Sequence, residues 1–78
     1  MKTNGKLILL AEDDRFLRRA AEASLRQRGF TVLTAVDGEE ALRVARAEAP
    51  DLILLDLLMP KIPGVEVLRI LKAESEQT

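Results

Sequence analysis

At 78 residues, 47% hydrophobic and 32% charged, the chain has room for one small domain and the composition of a globular protein, not a disordered one. A net charge of −1 gives no general pull toward nucleic acid or anionic membranes, and no apolar stretch is long enough to span a bilayer. The lack of Cys excludes disulfide and thiolate chemistry, and the lack of His removes the commonest general base and zinc ligand.

The first residues, MKTNGK, hold no apolar stretch of signal-peptide kind, so the expectation is a soluble, cytoplasmic protein. Lys6 to Ala11 (KLILLA) is a short apolar run between Asn4-Gly5 and Glu12-Asp13-Asp14, which predicts a buried strand. Asp14 is placed to cap a helix from Arg15 to about Arg28, with an apolar stripe of Phe16, Leu17, Ala20, Ala21 and Leu25 and a stop at Gly29. Phe30 to Ala35 (FTVLTA) is rich in β-branched residues and predicts a second strand. Asp37 opens a second helix, and Glu40 stands where a capping box has its acid. Ala41, Leu42, Val44 and Ala45 face inward, and Ala49-Pro50 ends that helix.

Leu52 to Leu55 predicts a third strand. Met59-Pro60 and Pro63-Gly64 are loop signals. A third helix starts at Gly64 or Val65 and runs to about Glu74, with Val67, Leu68 and Leu71 inward and Val65 and Ile70 as surplus apolar surface. Residues 75–78 (SEQT) read as a frayed tail. The order is βαβαβα, a single α/β domain over residues 1–78 with a parallel sheet and helices on both faces.

In open sheets of this kind, sites form beyond the carboxyl ends of the strands. The first strand ends in Glu12-Asp13 and the third ends in Asp56. If those strands are neighbours, three carboxylates converge. They repel one another, and a hard divalent cation such as Mg²⁺ relieves the repulsion. A strand-end aspartate backed by a metal can attack phosphorus to give an aspartyl phosphate. Each acidic spot also has a plainer role: Asp56 as a turn former, and Glu12-Asp13-Asp14 as acids favoured at a helix N-terminus. Their joint position at two strand ends tips the reading toward a site.

Taken together, "KLILLAEDD", "GFTVLTAVDGEEAL" and "PDLILLDLLMPKIPGVEVLRIL" resemble the receiver domain of bacterial two-component response regulators. The most specific piece is Asp56 with Met59-Pro60 and Gly64. The resemblance implies a flavodoxin-like half, with three parallel strands in order 2-1-3, helix one on one face and helices two and three on the other. It implies that Asp56 is the phosphoacceptor, that Asp13 is a direct Mg²⁺ ligand, that Glu12 acts largely through water and that the backbone carbonyl of Leu58 is a third protein ligand. Asp14 keeps its role as a cap. The phosphoryl donor would be a phosphohistidine on a sensor histidine kinase or phosphotransfer protein, or a small acyl phosphate.

The sequence also departs from that pattern. The family has five strands and five helices, and this sequence covers three of each. The Ser/Thr of the fourth strand has no counterpart, since Ser75 and Thr78 lie in the tail. The Lys of the fifth strand has none either, since Lys61 and Lys72 lie in other elements. The switch aromatic is missing, and Pro63 stands where the family often has a polar residue. The expectation is the metal-binding half of a receiver, truncated after three βα units and not an enzyme in its own right. It would bind Mg²⁺ weakly, with Mn²⁺ as a substitute, and would engage a kinase or phosphotransfer protein only when completed by a second half.

The alternative is a self-assembling half-domain with a vestigial site. In either case a homodimer is expected, through the bare edge of strand three or by a swap of helix three. No nucleic-acid or membrane partner is expected. Arg15, Arg18, Arg19, Arg26 and Arg28 read as a solvated face, with Glu22 four residues from both Arg18 and Arg26. The glycine-rich phosphate loops are absent. A dehalogenase-like phosphatase would need an Asp where Leu58 stands.

Overall fold

The computed structural model describes residues 5–76. Three strands alternate with three helices: β1 (Leu7–Ala11), α1 (Arg15–Gln27), β2 (Thr31–Ala35), α2 (Gly38–Glu48), β3 (Leu52–Leu55) and α3 (Gly64–Ser75). The sheet is parallel in order β2-β1-β3. Leu9 pairs with Leu33 on one side and with Ile53 on the other. β1 is the central strand, and Ile8 to Ala11 are all buried, as an apolar run covered on two faces requires.

The helix ends follow from local chemistry. The Asp14 carboxylate accepts from the N–H of Leu17 at 2.9 Å and starts α1. Gly29, at φ 97°, ends it: its N–H reaches the Arg26 carbonyl (3.0 Å), and the N–H of Phe30 reaches that of Leu25 (3.2 Å). This is the paired pattern that a left-handed glycine permits. Asp37 caps α2 by accepting from the Glu40 N–H at 2.8 Å. Glu40 answers one residue earlier than in a regular capping box, accepting from Val36 and not from Asp37. α2 ends at Ala49, itself left-handed at φ 46°.

Side chains of alternating parity divide the core. Leu9, Ala11 and Ala35 join Ala41, Leu42 and Ala45 of α2, Met59 of the β3–α3 loop and Val67 of α3 in one buried cluster. Full burial of a side chain such as Leu9 or Val67 contributes about 1.5–3 kcal/mol relative to exposure. The Arg46–Glu74 ion pair ties α2 to α3 at the rim. α1 covers the opposite face, over β2 and β1.

The inward stripes differ from expectation in two helices. On α1, Ala21 and Leu25 are partly buried, but Ala20 is exposed, as are Phe16 (86%) and Leu17 (59%). α1 packs on β2 and β1, and the apolar side chains of its first turn find no cover among the described residues. On α3, Leu68 points outward and Ile70 packs against the core, the reverse of the expected pair, because α3 leans on α2 and turns the 67/70/71 edge inward. α3 includes Ser75 with Glu76 as its cap, and residues 77 and 78 of the expected tail lie outside the described residues.

Candidate functional site

Two backbone bonds extend the sheet just past its strands. The Glu12 N–H donates to the Ala35 carbonyl at 3.0 Å, and the Asp56 N–H donates to the Ala11 carbonyl at 2.9 Å. Both acids are thus held at the carboxyl edge of the sheet, side by side because β1 and β3 are neighbours. Asp13 follows on the β1–α1 turn. Carboxylate oxygens of Glu12, Asp13 and Asp56 lie within 4.8 Å of one another. The three acids expected from the strand ends therefore meet in one place. Leu58 stands beside them, its N–H donating to Asp56 Oδ1 at 3.1 Å.

The charges within the cluster are unequal. The Leu58 N–H, donating to Oδ1, holds the Asp56 carboxyl below the usual aspartate range. The Asp14 N–H pulls the Glu12 carboxyl down, but burial and the Asp56 and Asp13 charges outweigh it and leave Glu12 above the usual glutamate range. Asp56 is therefore a stronger acid than Glu12, and its carboxylate is ionised at neutral pH.

Two glycines set the surrounding loop. A Cβ at Gly64 would lie 2.2 Å from the Asp56 carbonyl oxygen, so only glycine lets α3 begin against the backbone of Asp56. A Cβ at Gly38 would lie 1.9 Å from the Ile62 carbonyl oxygen, so the start of α2 clasps the same β3–α3 loop. The sequence marks Gly64 as a loop signal, a start for the third helix and part of the family resemblance, but not as a close approach. The close approaches join segments far apart in the chain and leave no local signal. Lys61, left-handed at φ 68°, turns its ammonium to Asp37 (3.4 Å) and Glu39 (3.9 Å), as ion pairs of the α2 start.

The arginines of α1 divide. Arg26 pairs with Glu22 at 3.0 Å, as the spacing predicts. Arg18 does not use Glu22. Its Nη1 donates to the backbone carbonyls of Glu12 (3.0 Å) and Asp13 (3.3 Å), beneath the acidic turn. Helical spacing alone favours the ion pair, so the sequence gives no sign of this contact.

The response regulator receiver domain family matches residues 8–78. The chain belongs to that family. It is 43% identical over 76 residues to "Probable transcriptional regulator ycf27" of Cyanophora paradoxa, covering 97% of this chain and 32% of that one. It is 42% identical over 69 residues to "Alkaline phosphatase synthesis transcriptional regulatory protein PhoP" of Bacillus subtilis, covering 88% of this chain and 29% of that one. Among solved structures, the receiver domain of Francisella response regulator 1452 superposes with a TM-score of 0.88 at 28% identity, over 91% of this chain and 59% of that one. The receiver domain from the hybrid histidine kinase CckA gives 0.77 at 43% identity, over 81% and 60%. The chain therefore spans about a third of the curated relatives' length, and its three strands, in order 2-1-3, form part of the flavodoxin-like receiver fold. No helix among the described residues is long and apolar enough to cross a membrane.

Proposed function

We propose that this receiver half carries a phosphoacceptor, Asp56, beside a divalent-cation pocket formed by Glu12, Asp13 and Asp56, with the Leu58 carbonyl as a further oxygen donor. The observation that supports it best is the meeting of three carboxylates within 4.8 Å at the ends of two neighbouring strands. The donors are all hard oxygens, with no sulfur or imidazole, and such a set suits Mg²⁺ or Mn²⁺. A bound cation would supply charge neutralisation for the cluster and for a transferred phosphoryl group.

Asp56 has the protonation state the chemistry needs. Its ionised carboxylate oxygen would attack phosphorus, forming a P–O bond as the bond to the donor's imidazole nitrogen or acyl oxygen breaks. The leaving group takes the electron pair. Leu58 N–H holds one Asp56 oxygen in place for the attack. The donor class follows the family: a phosphohistidine of a sensor kinase or phosphotransfer protein, or a small acyl phosphate. No lysine stands beside the acid among the described residues, since Lys61 is engaged at Asp37. The 78 residues by themselves therefore bind the cation weakly and hold little stable aspartyl phosphate.

Titration with Mg²⁺ should move the amides of Glu12, Asp13 and Asp56. The same shifts in an Asp13→Asn, Asp56→Asn double variant would refute the pocket. Incubation with acetyl phosphate and Mg²⁺ should leave only a trace of phosphorylated Asp56 by mass spectrometry. Stoichiometric labelling would show that the chain needs no second half.

We also infer a homodimer for the 78 residues as a free-standing chain. β3 is bonded to β1 alone within the described sheet, with Leu52 51% and Leu54 38% exposed. Antiparallel pairing of two β3 edges, centred on Ile53, sets Leu52 opposite Leu54 of the second copy. A register half a step away would set Asp51 against Asp56, which like charges oppose. Sedimentation should show dimer that Ile53→Pro weakens, because the edge then loses an N–H. A concentration-independent folded monomer would refute it.

A further inference from the structure

The β1–α1 turn carries two of the three clustered carboxylates, Glu12 and Asp13, which face Asp56 across the strand ends, and Asp13 and Asp14 are exposed. Something must hold the turn when no cation does. Arg18 is built to do so. It lies one turn into α1, where its own N–H donates to the Asp14 carbonyl at 2.9 Å, so its backbone is fixed to the cap. The side chain is partly buried and reaches back to the carbonyls of Glu12 and Asp13. An ion pair with Glu22 was open to it at helical spacing, and Glu22 pairs with Arg26 instead. Among the described residues Arg18 makes no ion pair, so its charge is directed to the peptide oxygens of the turn.

We propose that Arg18 is a positioning residue for the cation pocket: by holding the Glu12 and Asp13 carbonyls, it keeps both carboxylates turned to Asp56. This rests on the metal reading above. The guanidinium touches neither cation nor phosphoryl group. It acts through the backbone of two ligands, as the outer partners of metal sites commonly do. Both bonds leave one nitrogen, Nη1, which lies one bond farther from the backbone than a lysine ammonium, so a lysine meets these carbonyls only in part.

Mn²⁺ affinity, read from the free-ion signal in electron paramagnetic resonance, tests this on the intact chain. Arg18→Ala should weaken Mn²⁺ binding about tenfold or more, the range usual for loss of an outer partner. Arg18→Gln should match it, and Arg18→Lys should recover part of the affinity. The exposed Arg19→Ala should bind as the parent does. Ala45→Gly, a buried position one helical turn farther along α2 from the end that meets the β3–α3 loop, should lower stability without changing affinity and so separates positioning from general destabilisation. If Arg18→Ala fails to fold, the Gln and Lys variants decide. Loss of binding in Asp13→Asn with none in any folded Arg18 variant would overturn the positioning role alone. Full binding in Asp13→Asn would remove the metal reading and this inference with it.

Discussion

On one face of the sheet, α2 and α3 set Ala41, Leu42, Ala45 and Val67 against Leu9, Ala11 and Ala35, and all seven are buried. On the other, α1 buries no residue completely, and Phe16 and Leu17 stand in solvent. Both faces are served by amphipathic helices. The difference lies in the partners. α2 has β1, β2 and α3 to pack on, whereas α1 has β2 and β1, while Leu52 and Leu54 on its own face stay exposed. An apolar stripe states which side of a helix gains from burial; the neighbouring elements decide how much of it is buried.

Paired truncations sharpen that contrast most. Leu42→Ala should cost about 2–5 kcal/mol, the range for a buried leucine. Leu17→Ala should change stability by less than about 0.5 kcal/mol, as for an exposed site. Urea denaturation of the two variants checks it, and equal losses would erase the distinction between the faces. Next in size is Gly64→Ala, which forces a methyl group against the Asp56 carbonyl and should cost about 1–3 kcal/mol as an overpacked contact. Its amide shifts should centre on Asp56 to Leu58. A shift pattern confined to α3 would mean that the helix start yields and the acid does not.

Smaller still is the acid response of α2. The Glu40 N–H, helped by Lys61, holds the Asp37 carboxyl below its usual range. The unfolded chain then binds more protons between the folded and ordinary aspartate values, so stability rises with pH through that window and is complete above it. Asp37→Asn should lower stability at neutral pH, and the gap from the parent should close as the pH falls through the folded Asp37 value. A constant gap down to that pH would assign the effect to geometry and not to charge. The smallest effect sets one helix end against another. α1 ends on a left-handed glycine and α2 on a left-handed alanine. Ala49→Gly should stabilise by about 0.5 kcal/mol, the strain relieved less the extra freedom of the unfolded glycine. Thermal melts would read it as a slight rise in Tm.

The elements were legible in the sequence because each rests on local signals: unbroken apolar runs for the strands, Asp14 and Asp37 as caps, Gly29 as a stop. The acidic cluster was legible too, since strand-end position and strand order bring Glu12, Asp13 and Asp56 together. What was hidden depends on contacts across the fold. Leu68 and Ile70 are two apolar residues on one helix, and only the lean of α3 on α2 selects between them. Arg18 has two possible partners, and only the path of the β1–α1 turn decides. Gly38 and Gly64 look like ordinary loop glycines until a second backbone is laid against each.

β1 is paired along both edges, and β2 and β3 each depend on it without touching one another. The sheet therefore comes apart in an ordered way. β3 can lift off and leave the β1–α1–β2 unit joined, and β2 can do so and leave β1 with β3, but β1 cannot leave without ending both. Amide protons of β1 thus divide: those donated toward β2 stay protected when β3 lifts off, that of Leu7, held by Asp51, is released with β3, and all of β1 exchanges only when both neighbours leave. The acids at the end of β1 share its permanence, and Asp56, at the end of a separable strand, does not.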